Sequence, residues 1–266
     1  MPRSASQPSP AGPPLAGPPL AGKVVLLVGA SAGIGADAAR VLAADGAALM
    51  LVARSKAPLA ALAAELEAAG HDVAYTTGDI AESADVVRFV DETVDRFGRL
   101  DGAYNNAAMT QGGRVDQVPE EDFDRIMAVN VKGTWLCIRE EVRVMQEQRA
   151  GSIVNMSSIG GVRGSSGMGV YQATKHAVIG LTRTAAHDFG PLGIRVNVIA
   201  PGPIETPMLD QTRRNIPGGV EARIAATPLR KAGTGPEVGA AASFLLSDRA
   251  SHVSGVVLPV DGGFSA

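Results

Sequence analysis

Cysteine and aromatic side chains are scarce in this chain of 266 residues, which holds one cysteine, one tryptophan, three tyrosines and six phenylalanines. With Cys137 alone, no internal disulfide forms, which is typical of proteins from a reducing compartment. We therefore expect a cytoplasmic location. Cys137 lies in the apolar run TWLCI, a setting that predicts a packed thiol in preference to a nucleophile.

Strong charge and long apolar runs are also lacking. The net charge is −3, and the 24 lysines and arginines are scattered along the chain. Nothing here predicts binding to nucleic acid or to an anionic membrane surface. No apolar run approaches the roughly 18 residues of a membrane span, and no metal site is predicted.

The first 22 residues differ in composition from the rest, being rich in Pro, Ala, Gly and Ser and repeating AGPPL twice. Proline removes backbone donors and favours an extended chain, so a disordered tail is predicted for 1–22 and a folded domain for 23–266. The tail lacks the basic start and continuous apolar stretch of a signal peptide. A Pro-rich docking ligand is the alternative.

From residue 23 onward, short apolar runs alternate with helical patterns. The first run, KVVLLVG, is too uniformly apolar to have a wet face, which predicts a strand inside a parallel sheet. Helical crossovers between successive strands require parallel pairing with helices on both faces. The predicted fold class is therefore α/β, a single-domain Rossmann-type doubly wound parallel sheet of about seven strands.

Three finer predictions concern the helices and the loops. One long helix is expected over 119–148, and Ser83 is expected to cap the N-terminus of another. The Pro- and Gly-rich segment 202–232 is predicted to be an insert that closes as a lid over the substrate. An ordinary surface loop is the alternative for that insert.

Gly29, Gly33 and Gly35 follow the first strand and open a helix, which is the context of a dinucleotide-binding turn. Gly29 permits a tight turn, Gly33 lets backbone approach the phosphates, and Gly35 allows close packing of the helix on the sheet. The N–H groups and partial positive charge of the helix N-terminus would face a pyrophosphate. An ordinary glycine-rich turn is the alternative.

The residues after the second strand bear on which dinucleotide is bound. A carboxylate there would accept from a ribose 2′-hydroxyl, whereas an arginine suits a 2′-phosphate. The sequence has Arg54, Ser55 and Lys56 in this place, with no acidic residue between Asp45 and Glu65. This favours NADP(H). NAD(H) is the open alternative, because a solvated helix start would carry the same cations.

Tyr171 and Lys175 lie four residues apart on a predicted helix, so their side chains share one face. Free tyrosine, with a pKa near 10, is a poor base at neutral pH. A neighbouring ammonium favours the phenolate, so we expect Lys175 to lower the pKa of Tyr171. Ser158 precedes Tyr171 by 13 residues, just past the fifth strand, where such sheets bind ligands. Taken alone, the Tyr–Lys pair also fits a surface contact.

Several further motifs occur in a fixed order. They are GASAGIG (29–35), GDI (78–80), NNAA (105–108), VNVKG (129–133), MSS before YQATK, PGPIET (201–206) and the terminal VDGG. With these motifs the chain resembles the short-chain dehydrogenase/reductase family, in its single-domain branch, over about 23–264.

The resemblance implies roles for four catalytic residues. Tyr171 would donate or accept the proton of the substrate oxygen, and Lys175 would lower its pKa and bind the nicotinamide ribose. Ser158 would hydrogen-bond the reacting carbonyl or alcohol. Asn130 would hold a water that relays protons to Lys175; for Asn130, bonding to local backbone in a kinked helix is the alternative.

The resemblance also implies a set of cofactor contacts. Asp79 and Ile80 would cradle the adenine, and Asn106 would line the adenosine side. Ile204 and Thr206 would hold the nicotinamide carboxamide. The whole predicted set consists of Gly29, Ser31, Ala32, Gly33, Ile34, Gly35, Arg54, Ser55, Asp79, Ile80, Asn106, Ala107, Tyr171, Lys175, Pro201, Gly202, Ile204 and Thr206.

Three positions depart from the family pattern. Val28 stands where a threonine is usual, which removes one structural hydrogen bond. Ala108 stands where a glycine usually ends NNAG, which adds a Cβ beside the cofactor pocket. Ala32 stands where many NADP-preferring relatives carry a basic residue, so the choice of cofactor rests on Arg54.

The expected function is hydride transfer between a nicotinamide and a ketone or secondary alcohol. The expected pocket walls, Met109, Gln111, 164–168 and 208–216, include apolar and flexible residues, which favours a hydrophobic small molecule. The alternatives are a same-fold enzyme without net redox chemistry, such as a dehydratase or epimerase, and a non-catalytic nucleotide-sensing protein. By analogy with the family's terminal strand we expect a homotetramer, with a dimer next.

Overall fold

The computed structural model describes residues 17–215 and 218–266, which form one seven-stranded sheet in the order β3-β2-β1-β4-β5-β6-β7. All six neighbouring pairs of strands are parallel. The strands are β1 (Val24–Val28), β2 (Ala48–Ala53), β3 (Val73–Thr77), β4 (Gly102–Asn105), β5 (Gly151–Met156), β6 (Ile194–Pro201) and β7 (Val257–Val260). The doubly wound parallel sheet is confirmed, and its order reverses between β1 and β4, which opens a crevice at the carboxyl edge.

The helices lie in the connections between the strands. They are α1 (Gly33–Ala44), α2 (Lys56–Ala68), α3 (Ser83–Phe97), α4 (Glu120–Met127), α5 (Thr134–Gln148), α6 (Gly169–Phe189), α7 (Pro207–Asn215), α8 (Gly219–Ala226) and α9 (Gly235–Leu246). The described residues contain no helix that is both long and apolar enough to cross a bilayer.

Strand β1 shows why the strands are apolar on both faces. Val25 and Leu27 belong to one buried cluster, with residues of α1, α2 and α9, whereas Leu26 and Val28 belong to another, with residues of α3 and α5. Successive side chains of a strand point to opposite faces, so helices on both faces require every β1 residue to be apolar. The core thus has two layers, one on each side of the sheet.

The packed chain begins earlier than the predicted boundary after residue 22. Leu20 is fully buried (0% exposed) in the cluster with α1 and α9, and its backbone N–H donates to the Asp45 carbonyl oxygen at 2.9 Å. The leucine of the second AGPPL repeat therefore completes the core, and the end of the predicted tail is wrong. The rest of that tail, 1–16, lies outside the described residues.

The helix expected over 119–148 is interrupted. A π-helical turn, Ala128–Gly133, separates α4 from α5. At its end Gly133 packs on Ile80, because a Cβ on this glycine would lie 2.7 Å from Ile80 Cγ1. Asn130 lies inside this turn, and π-turns occur frequently at functional sites.

Two other expectations are refined. Glu82, and not Ser83, is the N-cap of α3, and the Ser83 hydroxyl instead accepts from Arg139 Nη2 at 3.0 Å. The insert 202–232 contains the helices α7 and α8, which Arg213 joins by binding both Glu205 and Glu221. The insert therefore contains two ordered helices, and its closure over a substrate stays a prediction.

Leu20→Ala should lower the free energy of unfolding by about 2–5 kcal/mol, because it opens a cavity in a packed core. Leu229→Ala is the matched control, since Leu229 is 65% exposed. Urea unfolding of both variants measures the difference. Equal, small losses in the two variants would contradict the burial of Leu20.

Candidate active site

The turn after β1 is built on glycines that admit no side chain. Gly29 has a positive φ of 90°, and a Cβ there would lie 2.6 Å from the Ala107 backbone nitrogen. A Cβ on Gly35 would collide with the Gly29 carbonyl oxygen. The predicted roles of both glycines, a tight turn and a close approach of α1, agree with these contacts.

The N-terminus of α1 is open for an anion. Its N-cap is Ala32, which makes no side-chain capping bond, so the first-turn N–H groups are left to an external acceptor. Gly33 opens the helix with a φ of 56°, and a Cβ there would lie 3.4 Å from Thr206 Cγ2. Ser31 and Ile34, also predicted contacts, are half-buried beside this turn. A larger side chain at Gly33 would fill this turn. Without one, the turn leaves a space that fits a bound pyrophosphate.

Asn106 supports this turn from the end of β4. Its Nδ2 donates to the Gly29 carbonyl oxygen at 3.0 Å, while the backbone N–H groups of Asn106 and Ala107 both donate to the Val28 carbonyl oxygen. The side chain of Asn106 therefore holds the glycine turn in place. This is a more structural role than the predicted lining of the adenosine side.

Arg54 and Asp79 face each other where β2 and β3 end. The Arg54 side chain is 75% exposed, and its Nη1 forms a long ion pair with Asp79 Oδ2 at 3.9 Å, too far for a hydrogen bond. Asp79 Oδ1 accepts from the Ala81 N–H at 2.9 Å, so Asp79 also shapes its own turn. Ser55, the exposed N-cap of α2, makes no side-chain capping bond. The Ile80 side chain, in contrast, packs in the core against Gly133.

The predicted nicotinamide contacts lie where β6 ends. The Gly202 N–H donates to the Val260 carbonyl oxygen, just past Pro201. Ile204 is buried and pairs with Gly233, so its side chain supports the loop. The Thr206 hydroxyl donates to the Ile204 carbonyl oxygen and accepts from the Leu209 N–H at 3.2 Å. Thr206 thus joins the first turn of α7 to the loop that faces Gly33.

Lys175 is buried against the end of β5. Its Nζ donates to the Met156 carbonyl oxygen at 3.0 Å, and it lies 5.6 Å from the centre of the Tyr171 ring. Ser157 donates its hydroxyl to the Lys175 carbonyl oxygen at 2.9 Å. Both the side chain and the backbone of Lys175 therefore attach helix α6 to the carboxyl edge of the sheet.

Ser158 and Tyr171 meet at the same edge. The Ser158 hydroxyl accepts from the Gly160 N–H at 3.0 Å, and it lies close enough to the Tyr171 hydroxyl to oppose the rise in the pKa of that tyrosine. Ser157 is buried and engaged with Lys175, so of the two adjacent serines Ser158 is the one beside Tyr171. The spacing of 13 residues selects the same serine.

Burial shifts the pKa values of both Tyr171 and Lys175. Burial raises the pKa of Tyr171 against the opposing influence of Ser158, and burial lowers the pKa of Lys175 to about 8. Lys175 Nζ is hydrogen-bonded to a carbonyl oxygen, and desolvation is the largest influence on the pKa of the phenol. The lowering of the Tyr171 pKa by Lys175 therefore stays a prediction.

Asn130 is buried in the π-turn and bridges two walls of the site. Its Oδ1 accepts from the Met109 N–H and its Nδ2 donates to the Met109 carbonyl oxygen, both at 2.9 Å. Nδ2 also donates to Thr174 Oγ1 at 3.0 Å, and that hydroxyl donates to the Tyr171 carbonyl oxygen. The Asn130 side chain thus joins the loop after β4 to helix α6, and its partners are neither local backbone nor Lys175.

Comparison with known proteins finds matches that cover most of the chain. The family model described as "Enoyl-(Acyl carrier protein) reductase" matches residues 29–265. Levodione reductase of Leifsonia aquatica is 40% identical over 252 residues, covering 92% of this chain and 94% of that protein. The A-factor type gamma-butyrolactone 1'-reductase (1S-forming) of Streptomyces virginiae is 41% identical over 245 residues, covering 91% and 95%.

The chain belongs to the short-chain dehydrogenase/reductase family. Among solved structures, a gluconate 5-dehydrogenase from Burkholderia cenocepacia in complex with NADP and tartrate is 32% identical, with a TM-score of 0.88 over 92% of this chain and 96% of that one. This short-chain dehydrogenase/reductase is an oxidoreductase of the kind that uses NAD(P).

Thr174 is a residue of this short-chain dehydrogenase/reductase that the sequence analysis missed. It lies inside YQATK, three positions after Tyr171, and is fully buried. A hydroxyl-bearing residue between Tyr171 and Lys175 was the available signal in the sequence. A second missed feature is the pairing of the Gly113 N–H with the Gly167 carbonyl oxygen at 2.8 Å, which joins the loop after β4 to the loop before α6.

Asn130→Ala should reduce turnover beyond its effect on stability, because Met109 and Thr174 lose partners beside Tyr171. Each buried group left without a partner costs about 1–3 kcal/mol. Asn197→Ala is the control, since Asn197 is equally buried but binds Val253 and Val256, in the loop before β7. Turnover and melting temperature are measured for both. Equal turnover per folded molecule in the two variants would contradict the bridging role.

Proposed function

We propose that this short-chain dehydrogenase/reductase reduces a hydrophobic ketone with NADPH, or oxidises the corresponding secondary alcohol with NADP⁺. The observation that carries the proposal is the placement of Tyr171 against the buried Lys175, with Ser158 beside them, at the carboxyl edge of the sheet. Two hydroxyls at one point can hold a single substrate oxygen. The crevice next to them contains the open N-terminus of α1.

Tyr171 is the proton donor of the reductive direction. The raised pKa of Tyr171 keeps the phenol protonated at neutral pH, so a proton is available for the oxygen of the reacting carbonyl. Ser158 hydrogen-bonds the same oxygen and stabilises the charge that develops on it. In the oxidative direction Tyr171 takes the proton back. The bound nicotinamide nucleotide supplies the hydride or accepts it.

The residues around the glycine turn hold the nucleotide. The N–H groups of the first turn of α1 would bind the pyrophosphate, with Gly33 leaving room for it while Gly29 and Gly35 shape the turn. Lys175 binds the nicotinamide ribose, and Thr206 lies across from Gly33 on the nicotinamide side. Asp79 lies at the adenine end. The glycine turn thus positions the phosphates. Residues that follow β3 and β6 lie on the adenine side and the nicotinamide side of it.

Arg54 selects NADP(H). Its guanidinium is exposed and lies beyond hydrogen-bonding distance of Asp79, so it is available to a 2′-phosphate, which an arginine binds in bidentate fashion. No acidic residue follows β2 to accept from a 2′-hydroxyl. The gluconate 5-dehydrogenase solved with NADP is a relative with the same overall fold. NAD(H) is the second candidate.

The substrate is a small molecule with an apolar body. Met109, held by Asn130, and Met208, which is partly exposed on α7, lie on the two loops expected to border the substrate. Methionine side chains adapt to varied apolar surfaces. Levodione reductase and the butyrolactone 1'-reductase are named for carbonyl reduction, which supports the ketone. Helices α7 and α8 form the lid over it.

The assembly and location complete the proposal. Trp135 on α5 and Phe244 on α9 are large apolar side chains that stay partly exposed in the single chain. Subunit contacts over these helices would cover them, which supports the homotetramer. The cytoplasmic location rests on the single buried cysteine.

Tyr171→Phe should reduce turnover by about 10²–10⁴-fold, the usual contribution of a positioned acid, because it removes the transferred proton. NADPH binding, followed by fluorescence, should be nearly unchanged. Tyr75→Phe is the control, since Tyr75 is 38% exposed on the edge strand β3. Ketone reduction by Tyr171→Phe at the wild-type rate would rule out the proposed function.

Arg54→Ala should weaken NADPH binding about tenfold or more and leave NADH binding nearly unchanged, because it removes a charge-assisted bond to the 2′-phosphate. Lys56→Ala, at the first position of α2, separates the two cations and should have the smaller effect. Titration with both nucleotides gives the dissociation constants. Equal NADPH affinity in wild type and Arg54→Ala would contradict the selection by Arg54.

A further inference from the structure

A carboxyl group is buried on α5, on the side of the helix that faces the sheet. Glu141 is 0% exposed. Its neighbour Glu140 is ion-paired with Arg139 and Arg143, but among the described residues no cation pairs with Glu141. Within those residues, Glu141 Oε2 accepts a hydrogen bond from Asn105 Nδ2 at 3.0 Å. An isolated carboxylate in such a place would be costly.

The groups around Glu141 are uncharged. Asn105 Nδ2 also donates to Asn155 Oδ1 at 3.0 Å, on β5, and Asn155 Nδ2 donates to Thr182 Oγ1 at 3.0 Å, on α6. Cys137, one turn before Glu141 on α5, is the titratable group beside it, and burial raises the pKa of that thiol, as an ionised Glu141 would also do. From β4, β5 and α6, Glu141 therefore faces amides and a hydroxyl, with a neutral thiol on its own helix.

Two oxygens in this cluster have no donor within the described chain. They are Glu141 Oε1 and Asn105 Oδ1, and they belong to the two side chains that already share the Nδ2–Oε2 bond. A protonated carboxyl has one O–H donor. An acid and an amide form a cyclic pair when the amide N–H donates to one acid oxygen and the other acid oxygen donates to the amide carbonyl. One proton on Glu141 would thus satisfy both oxygens.

We propose that Glu141 is a neutral carboxylic acid in the folded protein and forms a doubly hydrogen-bonded acid–amide pair with Asn105 that positions the end of β4. Asn105 precedes Asn106, which holds the glycine turn through the Gly29 carbonyl oxygen. Through Asn155 and Thr182 the same pair is joined to α6, the helix of Tyr171. Glu141 is a positioning residue, acting through Asn105.

The pair makes stability depend on pH. Burial raises the pKa of Glu141 from 4.5 to about 8, against the opposing hydrogen bond from Asn105. Between these values the folded chain holds a proton that the unfolded chain has released, so stability falls as the pH rises. The contribution is complete below a pH of about 4.5 and lost above about 8. Lys175, whose pKa is lowered from 10.5 to about 8, acts with the opposite sign in the next window.

Glu141→Gln tests this directly. A glutamine amide can accept from Asn105 Nδ2 and donate to Asn105 Oδ1 at every pH, so it keeps the pair and removes the titration. Melting temperatures of wild type and variant are compared between about pH 5 and about pH 9. The two should agree at the acid end, and the variant should be higher by about 5 °C or more at the alkaline end. Parallel curves, or a variant that is less stable by the same amount throughout, would overturn the proposal.

Glu140→Gln is the matched control, because it makes the same change one residue away at an ion-paired carboxylate. Its melting curve should not diverge from wild type towards alkaline pH in this way. Infrared spectra at neutral pH give a second readout that does not depend on unfolding. A protonated-carboxyl C=O band present in wild type and Glu140→Gln but absent from Glu141→Gln supports the proposal. No such band in wild type would refute it.

Discussion

The rest of the site depends on the hydrogen bond of the buried Lys175 ammonium to the end of β5. Its Nζ is bonded to the Met156 carbonyl oxygen, and its own carbonyl oxygen accepts from Ser157, so α6 meets the end of β5 in one arrangement. That arrangement brings Tyr171 to Ser158. The burial that positions Lys175 also lowers its pKa, and the burial of the phenol raises the pKa of Tyr171. Lys175 is fully buried and Tyr171 is half-buried, so partial removal of water at the sheet edge acts on the pKa of both groups.

Around Lys175, side-chain amides attach the loops to the sheet. Asn106 holds the glycine turn, and Asn130 holds the loop at Met109. Asn105 lies between Glu141 and Asn155 in the layer beneath. An amide donates and accepts at once and carries no charge, so it can be buried where an ion could not. The glycine turn and the sheet edge at Tyr171 are thus held by one set of side-chain amides.

The sequence was sufficient for features that depend on local spacing. Strand and helix alternation predicted the parallel sheet, and the spacing of Tyr171, Lys175 and Ser158 predicted that they meet. Features that depend on burial could not be predicted from the sequence. The pKa of Tyr171 follows from desolvation, which no pattern in the chain reports, and Leu20 was assigned to a tail because proline-rich composition hides one core leucine. The π-turn at Ala128–Gly133 ends where Gly133 packs on Ile80, 53 positions earlier in the chain, and such a long-range contact has no signature in the local pattern.

The central claim is that one substrate oxygen is held by two hydroxyls beside a buried lysine. A crystal structure of the enzyme with NADP⁺ and an unreacted secondary alcohol tests it most directly. The account predicts that the alcohol oxygen lies within hydrogen-bonding distance of both the Tyr171 and the Ser158 hydroxyls, with Lys175 still at the end of β5. An alcohol oxygen bound elsewhere in the crevice, with the Tyr171 hydroxyl turned away from it, would contradict the account.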